Sequence, residues 1–206
     1  MTPPLVLATR NPGKLRELRP LFAAAAIAVV DLHAAGLGEE LPEEDALESR
    51  PTFAENALAK ARYFSRRLGG RACVADDSGL EVAALGGRPG VRSRRWSADE
   101  GFVGADLDGA NNALLLRALE AQTDRSARFV CAAAYVDPER EYVALGEVTG
   151  SVGIEPRGTL GFGYDPLFYV TELRRTLAEA TLEEKEAVSH RGRAFRALLA
   201  QLRPGN

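Results

Sequence analysis

Lysine is scarce in this chain: of 26 basic residues only Lys14, Lys60 and Lys185 are lysine, and each lies in a segment with other chemically suggestive residues, TRNPGK, ENALAKA and EEKEAVSHRG. Arginine fills every other basic position. The two serve about equally on a solvated surface, but a compact ammonium and a planar fork differ where a site must fit a point charge. The three lysines therefore mark candidate site positions, with chance survival in an Arg-biased composition as the alternative for any one of them. Cysteine is nearly absent too. Cys73 and Cys131 stand far apart in apolar runs, which excludes a disulfide framework or a zinc site and reads as two buried thiols in a reducing cytoplasm. No apolar run approaches the roughly 20 residues that span a bilayer; the longest, LFAAAAIAVVDL, is alanine-rich and interrupted. The start, MTPPLVLATRN, lacks the basic n-region of a signal peptide. An excess of positive charge is also missing: the net charge of -3 argues against a sequence-independent grip on duplex nucleic acid. The expectation is a cytoplasmic protein without membrane or nucleic-acid partners.

What is present suits a globular fold. With 206 residues, 46% hydrophobic and 27% charged, the chain can bury a sizeable core. PLVLATR reads as a buried strand entering Asn-Pro-Gly, after which Leu15, Leu18, Leu21 and Phe22 recur at helical spacing, with Asn11 as cap and Pro12 at the first helical position. IAVVDL reads as a second strand, and 33–51 as an acidic loop. Thr52 and Glu55 form a capping box for a helix that stops at Gly69-Gly70. RACVADD predicts a third strand ending in two carboxylates, and the segment 78–104 predicts irregular structure before a helix over NNALLLRALEAQ. RFVCAAAYVD and EYVALGEVTGSVG flank Pro-Glu-Arg as a hairpin. GFGYDPLFYV pairs a glycine turn with a strand, and two helical segments close the chain. No repeat or linker divides residues 1–206, so the reading is one α/β domain, in one or two lobes.

Four segments carry chemistry. The strand, turn and helix around Lys14 would aim backbone N–H groups, a helix dipole and an ammonium at an anion, most naturally phosphate; a plain strand-to-helix turn is the alternative. Asp76 and Asp77, adjacent on a strand, point to opposite faces, so one could hold a metal while the other orients it, unless the pair only initiates a turn. Oxygen ligands here, with the acidic loop near Glu48, suit Mg²⁺. In GFGYDP, Phe162 offers a stacking face and Asp165 a carboxylate, while Ser-His-Arg adds His190 and Arg191. Phosphate, metal and aromatic base together describe a nucleotide.

TRNPGK, TFAENALAKA, ADDSGLEVAALGGRPGV, GFGYDPLF and EEKEAVSHRG, in this order, resemble the inosine triphosphate pyrophosphatase (Ham1-like) family from Thr9 to Arg191. The resemblance implies an elongated α/β fold, a long mixed β-sheet flanked by helices, in two lobes with the active site in a cleft. It also implies a homodimeric, Mg²⁺-dependent enzyme that hydrolyses XTP, ITP and dITP to the monophosphate and pyrophosphate. Carried over by motif, Thr9, Arg10, Asn11, Pro12, Gly13 and Lys14 cradle phosphates. Asp77 is catalytic acceptor and metal ligand, with Lys14 and Asp76 as further catalytic candidates, and Ser78 touches substrate. Phe162, Gly163, Tyr164 and Asp165 line the nucleoside pocket, closed by Lys185, His190 and Arg191. Arg191 is the expected donor to a 6-keto oxygen, Lys60 a substrate-facing lysine and Glu48 the second metal carboxylate. The chain departs from relatives at Arg50, Arg94, Trp96 and Arg175, where glycine, a small residue, tyrosine and lysine are common. Two other classes stay open: a nucleotide-binding regulatory module, which would not need paired acids, and a Maf-type pyrophosphatase, which gives no reason for GFGYDP with Ser-His-Arg.

Overall fold

β1 (Leu5–Leu7) leads into Asn11, whose side chain caps α1 (Pro12–Ala24) by accepting from the N–H groups of Gly13 and Lys14 at 2.8 and 3.2 Å. In the computed structural model, which describes residues 3–202, β2 (Val29–Asp31) follows, then α2 (Phe53–Arg67) and β3 (Cys73–Val82). Short α3 (Trp96–Asp99) and α4 (Leu107–Ala118) precede β4 (Ser126–Val136) and β5 (Glu141–Val152). β6 (Phe168–Val170), β7 (Arg175–Thr176), α5 (Leu182–Val188) and α6 (His190–Leu202) complete the chain. The strands form one mixed sheet in the order β2-β1-β3-β4-β5-β6-β7. β1 runs parallel to β2 and β3, while β6 is antiparallel to β5 and β7. Among the described residues no helix is long and apolar enough to cross a membrane.

The described residues resolve into two compact units, one of 3–77, 131–146 and 190–202, the other of 78–130 and 147–189. In the first, Leu5, Leu7, Leu18, Phe22, Val74, Phe195 and Leu198 form a buried cluster, so the apolar faces of α1 and α6 pack on the parallel strands as the helical spacing predicts. In the second, Leu80, Val82, Trp96, Leu115, Phe129, Leu167 and Phe168 do the same. Trp96, where relatives commonly have tyrosine, is thus a core residue.

Two expectations need correction, and one strand went unforeseen. The acidic loop 33–51 contains a 3-10 helix, Pro42–Glu48, with Pro42 at its start. β3 does not end at Asp77 but continues through Ser78 and Gly79 to Val82, so the carboxylates sit in mid-strand and 78–82 is regular. A Ser-Gly pair is good turn chemistry in isolation, yet here it lies within a strand of the sheet, and the N–H of the next residue, Leu80, donates to Ser93 Oγ at 2.8 Å. β7 was not foreseen; two residues give no readable alternation.

Gly146 shows how closely α6 lies on the first unit. A Cβ at this position would overlap the backbone nitrogen of Ala194 and the carbonyl oxygen of His190. Gly146→Ala must therefore push a helix backbone off β5, at a cost of about 1–3 kcal/mol. For a chain of this size that lowers Tm by about 2–4 °C per kcal/mol. The adjacent Leu145 is 64% exposed, and Leu145→Ala should stay within about 0.5 kcal/mol of the parent. Thermal denaturation of both variants checks the pair of expectations, which fails if Gly146→Ala melts with the parent.

Candidate active site

β3 holds two adjacent carboxylates in opposite electrostatic settings. Asp76 is fully buried in the first unit, and its Oδ2 lies 3.0 Å from Lys14 Nζ and 3.2 Å from Arg191 Nε, with Cys131 Sγ at 3.8 Å. Arg191 in turn donates from Nη1 to Glu17 at 2.5 Å. Burial alone would raise the Asp76 pKa, but Lys14, Arg191 and Lys60 outweigh it and hold the carboxyl well below its ordinary range. Burial likewise disfavours the Arg191 cation, and Asp76 and Glu17 more than restore it. The result is a line of alternating charge, Glu17, Arg191, Asp76, Lys14, drawn from α1, β3 and α6.

Asp77 faces the other way, as alternation along a strand requires. Its Oδ2 accepts from Asn56 Nδ2 at 2.8 Å, and its Oδ1 lies 3.6 Å from Lys60 Nζ. Lys60 Nζ also donates to Glu48 Oε1 at 2.6 Å. For Asp77 burial dominates: Lys60 and Lys14 pull its pKa down, Glu48 pushes it up, and it ends above its ordinary value. For Lys60 burial opposes the charge, but Asp77 and Glu48 prevail and its pKa is raised. Asn56 and Lys60 lie one helical turn apart on α2, which puts both on the face toward Asp77. Asn56 also fixes the Arg50 backbone, accepting from its N–H at 2.9 Å and donating to its carbonyl at 3.4 Å. Arg50 is thus anchored through groups that any residue carries, so its departure from glycine does not prevent Glu48 from reaching Lys60.

In the TRNPGK turn several backbone donors are already used within the chain. The N–H groups of Thr9, Asn11, Gly13 and Lys14 are all bonded within the chain, to Leu7 O, Thr9 Oγ1 and twice to Asn11 Oδ1. Pro12 has none. Anion attraction here rests on the helix dipole and the Lys14 ammonium. Arg10 also points elsewhere: its guanidinium donates to both oxygens of Glu44, at 2.7 and 2.9 Å, and to the carbonyls of Leu37, Gly38 and Glu39. It clamps the acidic loop. A bidentate Arg–carboxylate fork explains why arginine stands there.

In the second unit Phe162, Gly163, Tyr164 and Asp165 form a self-closed turn. Asp165 Oδ2 accepts from the Phe162 N–H at 2.8 Å and pairs with Lys185 Nζ, which lies 4.9 Å from the centroid of the Phe162 ring. Tyr164 donates its hydroxyl to Ser93 O at 2.9 Å, and burial pushes its pKa up. Arg175 pairs with Glu184. Ser78 follows Asp77 on β3, partly buried, and His190 is buried at the first turn of α6. Sequence reasoning missed Glu17 and Asn56. Their signals were present: a buried position on the apolar face of α1, and the i, i+4 spacing to Lys60.

An α/β protein with paired buried acids beneath a lysine-bearing helix N-terminus is a class of fold suited to phosphate chemistry. The Ham1 family model matches residues 5–201, and the chain belongs to that family. It is 51% identical to a dITP/XTP pyrophosphatase of Frankia alni over 97% of this chain and 96% of that protein, and 50% identical to one of Mycobacterium tuberculosis over 97% and 95%. Among solved structures, the Ham1 protein of Staphylococcus aureus superposes with a TM-score of 0.80 at 35% identity, covering 97% of this chain and 98% of that one. A structure described as nucleoside-triphosphatase, dITP/XTP pyrophosphatase, from Mycobacterium abscessus gives 0.70 at 45% identity, covering 97% and 99%.

The two acids should respond oppositely to neutralisation. Asp76 has a folded-state pKa below its unfolded value, so its stabilisation is present at neutral pH and lost only as the pH falls through the folded value. Asp77 has a folded-state pKa above its unfolded value, so its ionisation opposes folding once the pH rises past the ordinary carboxylate range. Asp76→Asn, which leaves Arg191 and Lys14 uncompensated, should cost about 3–5 kcal/mol at pH 7. Asp77→Asn should be at least as stable as the parent. Urea denaturation at pH 7 checks this, and equal losses in both variants would contradict it.

Proposed function

We propose that this chain hydrolyses dITP, ITP and XTP to the monophosphate and pyrophosphate with Mg²⁺, as a cytoplasmic enzyme of the nucleotide pool. The activity of its named relatives supports the substrate class, and the family resemblance supports a homodimer. The observation that carries the chemistry is the charge around β3. Glu48 Oε1 and Asp77 Oδ1 lie 2.6 and 3.6 Å from the same Lys60 Nζ, so two hard oxygen donors converge beside one cation. Asp76 Oδ1 is also buried without a hydrogen-bond partner among the described residues. Among these residues no three-ligand cage of His, Cys, Asp or Glu occurs. Two convergent carboxylates of hard oxygen donors fit Mg²⁺, which keeps water and substrate phosphate in its remaining positions. Glu48 and Asp77 would hold it. When bound, Mg²⁺ neutralises phosphate charge and lowers the barrier to displacement at phosphorus.

The chain's own residues do the rest. Asp77, raised in basicity by burial, takes the proton of the attacking water at Oδ1. Lys14, at the start of α1, and Lys60, between the two metal carboxylates, attract and orient the phosphates. Asp76 stays ionised and positions Lys14. In the second unit Phe162 stacks on the purine and Lys185 donates to a 6-keto oxygen. Arg191 was expected in that donor role, but its guanidinium is 2% exposed and engaged by Glu17 and Asp76. Reaching a base would strip two buried carboxylates of their partner. A 6-amino group would set donor against donor, which discriminates more strongly than shape.

Pyrophosphate release from dITP, XTP, dATP and dUTP, with and without Mg²⁺, tests the proposal. Release from dITP and XTP should require Mg²⁺ and exceed that from dATP by at least ~10². Asp77→Asn should lose at least ~10² in kcat, and Glu48→Gln should raise the Mg²⁺ needed for half-maximal rate while Glu44→Gln does not. Activity on dATP equal to that on dITP would overturn the substrate class, and an active Asp77→Asn enzyme would overturn the role of Asp77.

A further inference from the structure

The turn Phe162–Asp165 closes on itself through Asp165, but its outer edge, the residue Gly163, is held by another element. The Gly163 N–H donates to Asp108 Oδ2 at 2.8 Å, and the Gly163 carbonyl accepts from Asn112 Nδ2 at 2.9 Å. Both side chains stand on α4, four residues apart and so on one face. Gly163 has φ +61°, in the left-handed region, where a residue with a Cβ is disfavoured. It follows Phe162, the ring proposed to stack on the base, and stands two residues before Asp165, the acid that pairs with Lys185. Any swing at Gly163 moves Phe162 on one side and Tyr164, with Asp165 after it, on the other.

The cost of this arrangement is visible at Asn112. Its Oδ1 is buried with no hydrogen-bond partner among the described residues. Flipping the amide would set Oδ1 against the Gly163 carbonyl, so the observed orientation is the one that grips the loop. An unsatisfied buried acceptor is destabilising, a burden that a helix with only a packing role would shed by carrying leucine there. Asp108 is more cheaply placed. It lies in the first turn of α4, where the helix dipole favours a carboxylate, and it adds to the burial that raises the Tyr164 pKa.

We infer that Asp108 and Asn112 are positioning residues that set the base-reading turn, and that purine selectivity depends on this two-point grip. The inference rests on the reading of Phe162–Asp165 as the base pocket. The grip leaves the phosphate chemistry alone, since Lys14, Lys60, Glu48 and Asp77 belong to the other unit. Loss of the grip therefore weakens recognition of the base and spares turnover at saturation.

The experiment measures kcat and KM on dITP and dATP, Tm, inhibition by inorganic triphosphate, and amide exchange at Gly163. Asp108→Ala and Asn112→Leu should each raise KM for dITP by about tenfold, keep kcat within about twofold, and reduce the dITP-over-dATP preference by about tenfold. The double variant should be scarcely worse than either single one, because both groups hold one residue, Gly163. Asp108→Asn keeps an acceptor for the Gly163 N–H and should retain the parent's KM and preference. Inhibition by inorganic triphosphate should not change, while exchange at Gly163 accelerates in the Ala and Leu variants. Unchanged KM and preference, or a parallel fall of kcat, Tm and triphosphate inhibition, would overturn the inference. Failure of the underlying base-pocket reading shows instead in the parent enzyme, as an absence of preference for dITP over dATP, and takes the inference with it.

Discussion

Two neighbouring carboxylates on one buried strand cannot both be ionised without external help, and most of the candidate site is that help. Strand geometry sends Asp76 and Asp77 to opposite faces, so each meets a different set of cations. On the Asp76 side Lys14 and Arg191 are in direct contact and Glu17 steadies the guanidinium. On the Asp77 side one ammonium is divided between two acids and lies closer to Glu48 than to Asp77. One carboxyl is therefore a fixed charge that organises the fold, and the other is a base with proton affinity to spare.

This division assigns a use to the chain's few lysines. Each of the three ends on a carboxylate: Lys14 on Asp76, Lys60 on Glu48 and Asp77, Lys185 on Asp165. Arginines do different work. Arg10 grips the loop 37–44 with all three guanidinium nitrogens, and Arg191 bridges two acids in the core. Forked donors hold several acceptors at once, whereas each ammonium offers a compact point charge.

Much of the fold was legible in the sequence because it rests on local chemistry. Asn11 and Thr52 cap helices as their side chains dictate, and the apolar spacing of α1 and α2 gives their buried faces. The mid-strand position of Asp76 and Asp77 was not legible, since Ser78-Gly79 signals a turn and only the neighbouring strands override it. The site was legible in membership more than in role. Lys14, Lys60, Glu48 and Asp77 stand out by residue type, but Arg10 and Arg191 take their partners from Glu44 and Glu17, 34 and 174 positions away. The closed N–H groups of the TRNPGK turn follow from the same Asn11 cap that the sequence revealed; capping the helix and offering its donors to phosphate are competing uses of the same groups.

The central claim is that β3 separates its two acids into a permanent anion and a base. Carboxyl ¹³C NMR of the metal-free protein across an acid titration tests it most directly, with Asp77→Asn identifying the resonances. The account requires the Asp77 resonance to titrate above the ordinary carboxylate value of about 3.9 and the Asp76 resonance to hold its ionised shift to the lowest pH at which the protein stays folded. A common midpoint for the two, or an Asp76 that titrates above Asp77, would contradict it.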